Sequence, residues 1–452
     1  MPSRNRKKTL RIISTVRATG DKMSSKNELP FKPDASGQEN NLICLYPEAE
    51  FQEIEGFGGA FTEAGAVTLQ TLNPKKQEEI LNAYFNPETG LGYSLCRTHI
   101  NSCDFSIGNY AYAETPGDTE LRDFSIGRDR KALIPFIRTA KRVRDANFKL
   151  FASPWSPPAW MKTSGRMNGG GKLKEEYRGA WARYFVKYIK AYAEEGIDIW
   201  GVTVQNEPKA VQTWDSCVFT AEEERDFVKN HLGPVLKKNG LGGIKIIIWD
   251  HNKERVYERA KAVYADRRAA KYVWGAAFHW YSGDHFRALE ALHHEYPGKK
   301  LLFTEGCQEA FGSTDPWAAA ERYAHDIIGD LLNWTTGWVD WNMILDEQGG
   351  PNHAGNYCEA PVIVHTKTGA VTYAPSFYYL GHFSKFIRPG ARRIGCSSFT
   401  DKLEACAFRN KDGSRAAVVL NRGDAEIPFT LRCECGLADA ASPAHSIMTM
   451  VY

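Results

Sequence analysis

Apolar residues in this chain gather in short runs, and between most of them lies a longer stretch with helical spacing. The runs are FQEIEGFGGAF (51–61), YSLCRTHI (93–100), FKLFASPW (148–155), IWGVTVQN (199–206), IKIIIWD (244–250), WGAAFHWY (274–281), KLLFTEG (300–306) and GWVDWNM (337–343). Runs this continuously apolar suit strands buried on both faces, as in a parallel sheet covered by helices. The intervening segments carry helix signals. WARYFVKYIKAYAEEG places Trp181, Tyr184, Phe185, Tyr188, Ile189 and Tyr192 on one face and ends on Gly196, a C-terminal cap. TAEEERDFVKNHLGPVLKKNG opens with Thr220 and Glu223 at capping-box spacing, and Pro234 is expected to kink or break that helix. Eight strand–helix units in about 330 residues predict a (β/α)₈ barrel with long loops.

The two ends of the chain lack this alternation. LEACAFRNKDGSRAAVVLNRG reads as two strands joined by a turn at Asn410–Gly413, and AHSIMTMVY alternates again. At the start, MPSRNRKKTLRIISTVRATG is basic, but its apolar part is short and interrupted by Arg11, so it reads as a strand rather than a signal peptide. The expected fold is therefore α/β: a (β/α)₈ TIM barrel over 51–387, with an attached β-sandwich built from both termini, 1–50 and 388–452.

Ligands bind a barrel of this kind at the C-terminal ends of its strands. Glu207 follows the fourth run and Glu305 ends the seventh, so both carboxylates are expected over one central pocket. A single glutamate at a strand end is commonplace. Two facing each other across the mouth suit glycoside hydrolysis, where one carboxylic acid protonates the leaving oxygen and one carboxylate attacks the anomeric carbon. Asn206, beside the first, is placed to bind a sugar 2-hydroxyl. Arg97 and Asp104 follow the second run, Trp155 ends the third, His279 and Tyr281 end the sixth, and Trp341 lies on the eighth. Amides and carboxylates bind hydroxyls, and aromatic faces pack on sugar C–H groups. Bland readings stand beside these: a local cap for Asp104, an internal ion pair for Arg97, a satisfied core histidine for His279. Trp338 alternates with Val339 and is left outside the site.

Composition narrows the partners. Lys and Arg number 57 against 54 Asp and Glu, a net charge of +3, which does not point to nucleic acid. No run reaches the length of a membrane span. Ten cysteines occur without a CxxC pair, and the tight pair Cys433 and Cys435 has no histidine placed to complete a zinc site. No HExxH occurs. The expectation is a cytoplasmic protein with free thiols, no cofactor, no metal and a carbohydrate partner, with the oligomeric state open.

Several longer motifs carry a resemblance. GFGGAFTEAGA, SCDFSIGNYAYAETPGD, ASPWSPPAWMKTSG, VQNEP, FHWY, DWNMILDEQGGPNH and LGHFSKFIRPG resemble the family 30 glycoside hydrolases, in the branch that holds acid β-glucosidase (glucosylceramidase). The likeness runs from about residue 50 to the C-terminus. It implies the same barrel with a sandwich from both termini, and hydrolysis with retention of configuration. It makes Glu207 the general acid/base and Glu305 the nucleophile. Asp104, Trp155, Asn206, Tyr281 and Trp341 match positions lining the sugar pocket, and Arg97, His279 and Asn356 match supporting ones. The implied activity is a retaining β-glycosidase, first a β-glucosidase, with a β-1,6-glucanase or β-xylosidase as alternatives and a non-catalytic sugar-binding barrel as the alternative outside enzymes. The loop KAVQTWDSCVFTAEEE, with Trp214, and the stretch IIIWDHNKE, with Asp250, His251 and Asn252, either form a polar subsite for a second sugar or are ordinary loop.

Overall fold

The structure is a computed structural model that describes residues 9–35, 37–309, 312 and 314–452. Every expected run contributes a barrel strand: β1 (Gly56–Phe61), β2 (Leu95–Ile100), β3 (Lys149–Pro154), β4 (Gly201–Thr203), β5 (Lys245–Asn252), β6 (Val273–His279), β7 (Lys300–Glu305) and β8 (Thr335–Asn342). They close into a barrel in chain order, and the pairs from β1 through β7 run parallel. Leu95, Phe151, Ile247, Ala277, Leu302 and Val339, one from each of six strands, fill the interior as a buried layer. Trp338, one residue out of phase with Val339, instead stacks on Phe303, ring centroids 4.1 Å apart. That separation is the period-2 alternation of a strand.

β4 and β5 are both irregular where they approach the barrel mouth. β4 is short, yet the backbone stays paired beyond it: Val204 N donates to Ile247 O at 3.0 Å and Asn206 N to Pro154 O at 2.8 Å. Glu207 then turns left-handed, with φ +46°, and its N–H is held by Asp250 O at 2.9 Å. On β5, Trp249 and Asp250 are both left-handed, with φ +73° and +55°. The register against β6 skips between Ala277 and Phe278 at that point, which is how a bulge re-phases a strand. Trp249 packs against Arg259, while Asp250 joins the polar groups on β2, β6 and β7.

The helix Arg178–Glu194 buries the six aromatic and aliphatic residues expected on its face, and Gly196 caps it at φ +75°. The Thr220–Glu223 capping box forms in full. Pro234 does not break its helix. The segment Ala221–Phe227 runs on through a π turn, Val228–Leu232, into Gly233–Lys238. Widening the turn just ahead of the proline makes room for a ring that cannot join an ordinary α ladder. Gly233 is required there because a Cβ would sit 2.3 Å from the Tyr272 ring.

By backbone contacts the chain divides into two compact units. One holds Phe57–Ser313 and Gly337–Tyr373; the other holds the chain up to Gly56, Thr314–Thr336 and Ala374–Tyr452. Within the second, Thr9–Val16 pairs antiparallel with Ser446–Val451, Arg11 facing Val451. The two ends of the chain thus share one sheet, around a core that includes Leu10, Ile43, Ile394, Val419 and Met450. Leu403–Arg409 and Arg415–Asn421 form the expected hairpin. Residues 1–8 of the basic start lie outside the described residues.

Candidate active site

The floor of the barrel mouth is a buried charge cluster centred on Arg97. Its side chain is fully enclosed, so each N–H needs a protein acceptor. Nε donates to Ser153 Oγ at 3.0 Å, Nη1 to Glu305 Oε2 at 2.5 Å, and Nη2 to Asn206 Oδ1 and Asp250 Oδ2, both at 2.8 Å. The guanidinium also lies over the rings of Trp155 and Trp341. Asp250, equally enclosed, accepts from Thr203 Oγ1 at 2.7 Å and Thr304 Oγ1 at 2.6 Å. Its Oδ1 lies 3.0 Å from His279 Nε2. Burial pushes the Asp250 carboxyl up, but Arg97 and His279 outweigh it and hold it well below the usual carboxylate range.

His279 links this cluster to both glutamates. Its Nδ1 is 3.2 Å from Glu207 Oε1 and 4.0 Å from Glu305 Oε1. The two glutamate oxygens are therefore no farther apart than the sum of those distances. That bound admits the roughly 5–5.5 Å of a retaining pair and excludes most of the roughly 6.5–9.5 Å span of inverting enzymes. Burial alone would lower the His279 imidazolium, but Glu305, Asp250 and Glu207 push it up to about 9. Burial raises Glu305, and the charges of Glu207 and Asp250 add to the rise against the pull of His279 and Arg97. On Glu207 burial acts the same way, but the His279 hydrogen bond and the charges of His251 and His279 reverse it and draw the group below its ordinary value. Carboxyls coupled this closely titrate as a unit with two apparent values. A proton on the His279–Glu207 contact converts imidazolium–carboxylate into imidazole–carboxylic acid by moving from one partner to the other. Glu305, meanwhile, accepts from Arg97 and from Tyr281 OH at 3.0 Å, donors that favour an anion.

Above this floor is a cavity of about 320 Å³ lined by Asp104, Trp155, Asn206, Glu207, Tyr281, Glu305, Trp341 and Asn356. Trp155 and Trp341 stack with centroids 5.1 Å apart, 22° from parallel. Of the ten residues expected at the site, these eight line the cavity. Arg97 and His279 lie one layer beneath it, and act on it through the groups they hold.

Both parts of the chain match known domains. The glycosyl hydrolase family 30 TIM-barrel domain matches residues 54–387, and the family 30 β-sandwich domain matches residues 390–450. The chain belongs to glycoside hydrolase family 30. It is accordingly a retaining glycoside hydrolase. It is 39% identical to the lysosomal acid glucosylceramidase of Mus musculus, over 91% of this chain and 83% of that one. It is 30% identical to an endo-1,6-β-D-glucanase of Neurospora crassa, over 86% of this chain and 83% of the other. The crystal structure of SrfJ from Salmonella typhimurium superposes with a TM-score of 0.95 at 38% identity, covering 98% of this chain and 99% of that chain.

Within this family 30 site, sequence reasoning missed several groups. Cys307, Cys358 and Glu309 also line the cavity, and Gln212 joins them from the loop that the sequence left as subsite or ordinary loop. Cys307 and Cys358 stand two residues beyond Glu305 and Asn356, and that spacing was the available signal. Asp250 takes neither of the two roles left open for it, subsite or ordinary loop: the β5 bulge turns it under the cavity, where Arg97, Thr203, Thr304 and His279 enclose it. His251, Asn252 and Trp214 do reach the cavity wall.

Asp104 takes one hydrogen bond, from Asn356 Nδ2 at 2.9 Å, and its buried Oδ1 has no partner. Burial, then the negative charge of Glu305, pushes this carboxyl up to about 8. Between its ordinary value of 3.8 and about 8, the folded chain thus holds a proton that the unfolded chain has released. Its contribution is complete at low pH and is lost as pH rises towards 8. Asp104→Asn keeps the shape without the charge. The variant is expected to melt at least about 2 °C above the wild type at pH 8 and to converge with it at pH 4. Thermal unfolding at the two pH values checks this.

Proposed function

We propose that the chain is a β-glucosidase acting on β-glucosides or β-linked gluco-oligosaccharides, with Glu305 as nucleophile and Glu207 as general acid/base. The observation that carries this reading is the pair of carboxylates converging on one His279 nitrogen beneath a cavity walled by stacked tryptophans. Glu305 Oε1 attacks the anomeric carbon while Glu207 protonates the departing oxygen. Glu207, now an anion, then takes a proton from water as that water breaks the glycosyl ester. Asn206 is fixed for a supporting contact. Arg97 can only donate, so Asn206 Oδ1 must face it, and the amide N–H₂ is left for a sugar 2-hydroxyl. Asp104, with its unpartnered Oδ1 in the cavity, is suited to a further hydroxyl, and the tryptophan wall to the C–H face of the ring.

The cavity rim favours a second reading of the substrate. Gln212, Trp214, Asn252 and Glu309 give it polar groups and one aromatic face, which suit another sugar better than an apolar chain. A β-1,6-linked glucan fits that rim, as the named activity of the Neurospora relative suggests. Among the described residues no helix is long and apolar enough to cross a membrane. All ten cysteines are free, which suits a reducing compartment such as the cytoplasm.

Incubation with a 2-deoxy-2-fluoro-β-glucoside bearing an activated leaving group tests mechanism and sugar together. The expected product is a covalent adduct whose labelled peptide contains Glu305. A label on another carboxylate, or no adduct, removes the assignment. In parallel, nitrophenyl β-glycosides and gentiobiose rank the sugars, and a clear preference for xyloside over glucoside would defeat the glucosidase reading.

A further inference from the structure

The hydrolytic reaction leaves a histidine at the cavity wall without a task. His251 follows the β5 bulge and directs Nδ1 at Glu207 Oε1 from 3.6 Å. That nitrogen is buried and has no hydrogen-bond partner. On its other side the same glutamate oxygen meets His279 Nδ1 at 3.2 Å. One ligand atom from each of the three residues falls within 4.8 Å of the others. His279 is already oriented as a metal-bound imidazole is: Nε2 faces the buried Asp250 carboxylate at 3.0 Å, and Nδ1 is turned to the cluster. A carboxylate behind a histidine in this way fixes its tautomer and raises its basicity as a ligand.

We propose that Glu207, His251 and His279 form a binding site for a divalent cation of the zinc class, and that its occupation blocks hydrolysis. Tetrahedral zinc with bonds of about 2.0–2.1 Å sets neighbouring donors about 3.3–3.4 Å apart. The two contacts to Glu207, 3.2 and 3.6 Å, bracket that spacing. Two imidazoles and one carboxylate suit zinc, copper or nickel and are a poor set for magnesium or calcium. Glu207 and His251 both line the cavity, so the fourth position opens on it and takes water. Binding makes two metal–nitrogen bonds and one metal–oxygen bond, and any proton on His279 Nδ1 leaves to solvent. A Glu207 carboxylate committed to the cation has no proton for a leaving group.

Cys307 and Cys358 offer a competing thiol seat on the same cavity, and cobalt distinguishes the two. The full chain, stripped with a chelator, is titrated with Co²⁺ and then with Zn²⁺. The expected result is one equivalent of tetrahedral cobalt with visible ligand-field bands, no thiolate charge-transfer band, and displacement by zinc. His251→Gln is expected to weaken binding by at least roughly tenfold, the scale that even outer-shell changes reach, whereas Cys358→Ser leaves it unchanged. Zinc should inhibit glycoside hydrolysis with the midpoint at which it displaces cobalt. A thiolate band lost in Cys358→Ser, an affinity untouched by a folded His251→Gln, or no binding at all would overturn the site. The wild-type spectrum decides the ligand class even if His251→Gln fails to fold. The proposed role of Glu207 bears only on the inhibition arm. Binding without inhibition would overturn the blocking step while leaving the glycosidase reading to the trapping result.

Discussion

Glu305→Gln is expected to leave a folded protein whose kcat on any β-glycoside falls by a factor on the order of 10⁴ or more. The amide keeps the volume of the carboxyl: its one oxygen faces Arg97, and its N–H₂ donates to the Tyr281 hydroxyl, which can accept. What it loses is the anion that attacks carbon in the proposed mechanism. Asp250 continues to pair with Arg97 and His279, so the cluster below keeps its main countercharge. Glu207→Gln should behave differently. Removing a general acid costs roughly 10²–10⁴, and that loss falls on substrates whose leaving oxygen needs a proton. Nitrophenyl glycosides should still form the covalent intermediate, giving a burst followed by slow turnover. Steady-state rates on gentiobiose and rapid-mixing traces on a nitrophenyl glycoside check the pair. Near-wild-type activity in Glu305→Gln would refute the nucleophile assignment.

The largest effect on stability is expected at Asp250. Asp250→Ala leaves Arg97 and His279 enclosed with one fewer anion, strips Thr203 Oγ1 of its Asp250 acceptor, and leaves Thr304 Oγ1 only its 3.4 Å contact with Phe278 O. Breaking a buried pair by deleting one partner costs about 3–5 kcal/mol, and denaturant unfolding should read a loss of that size. The pH dependence has a definite sign. The carboxyl of Asp250 is depressed in the fold, so its contribution is present above its ordinary value of 3.8 and is lost as pH falls below that towards the folded value. The gap between wild type and Asp250→Ala should therefore be widest near neutrality and shrink in acid; the Asp104→Asn gap closes in acid as well, but there the variant is the more stable of the two. A gap that does not depend on pH would mean that Asp250 acts by packing alone.

Much of this site was legible in the amino-acid pattern because the barrel uses regular strands. Apolar runs ending on a carboxylate are visible without coordinates, and they locate Glu207 and Glu305. Alternation likewise separates Trp341 from Trp338. Asp250 was placed at the rim because the residues IIIWDHN give no sign of two consecutive left-handed positions, which tertiary pairing imposes. Of the kink or break expected at Pro234, the break does not occur, because a π turn with no sequence mark absorbs the ring. His251 stayed ambiguous for the same reason as Asp250. Which way a side chain points after a bulge depends on the neighbouring strand, here β6.

The left-handed backbone of Glu207 has a further consequence. A residue with a Cβ is strained in that conformation, and glycine would relieve it. The backbone therefore gains nothing from glutamate there, and what the side chain gives the fold is its contact with His279. A redesign that scored backbone strain alone would be drawn to place glycine here, at one of the two carboxylates on which the proposed chemistry depends, so this is a position to leave alone.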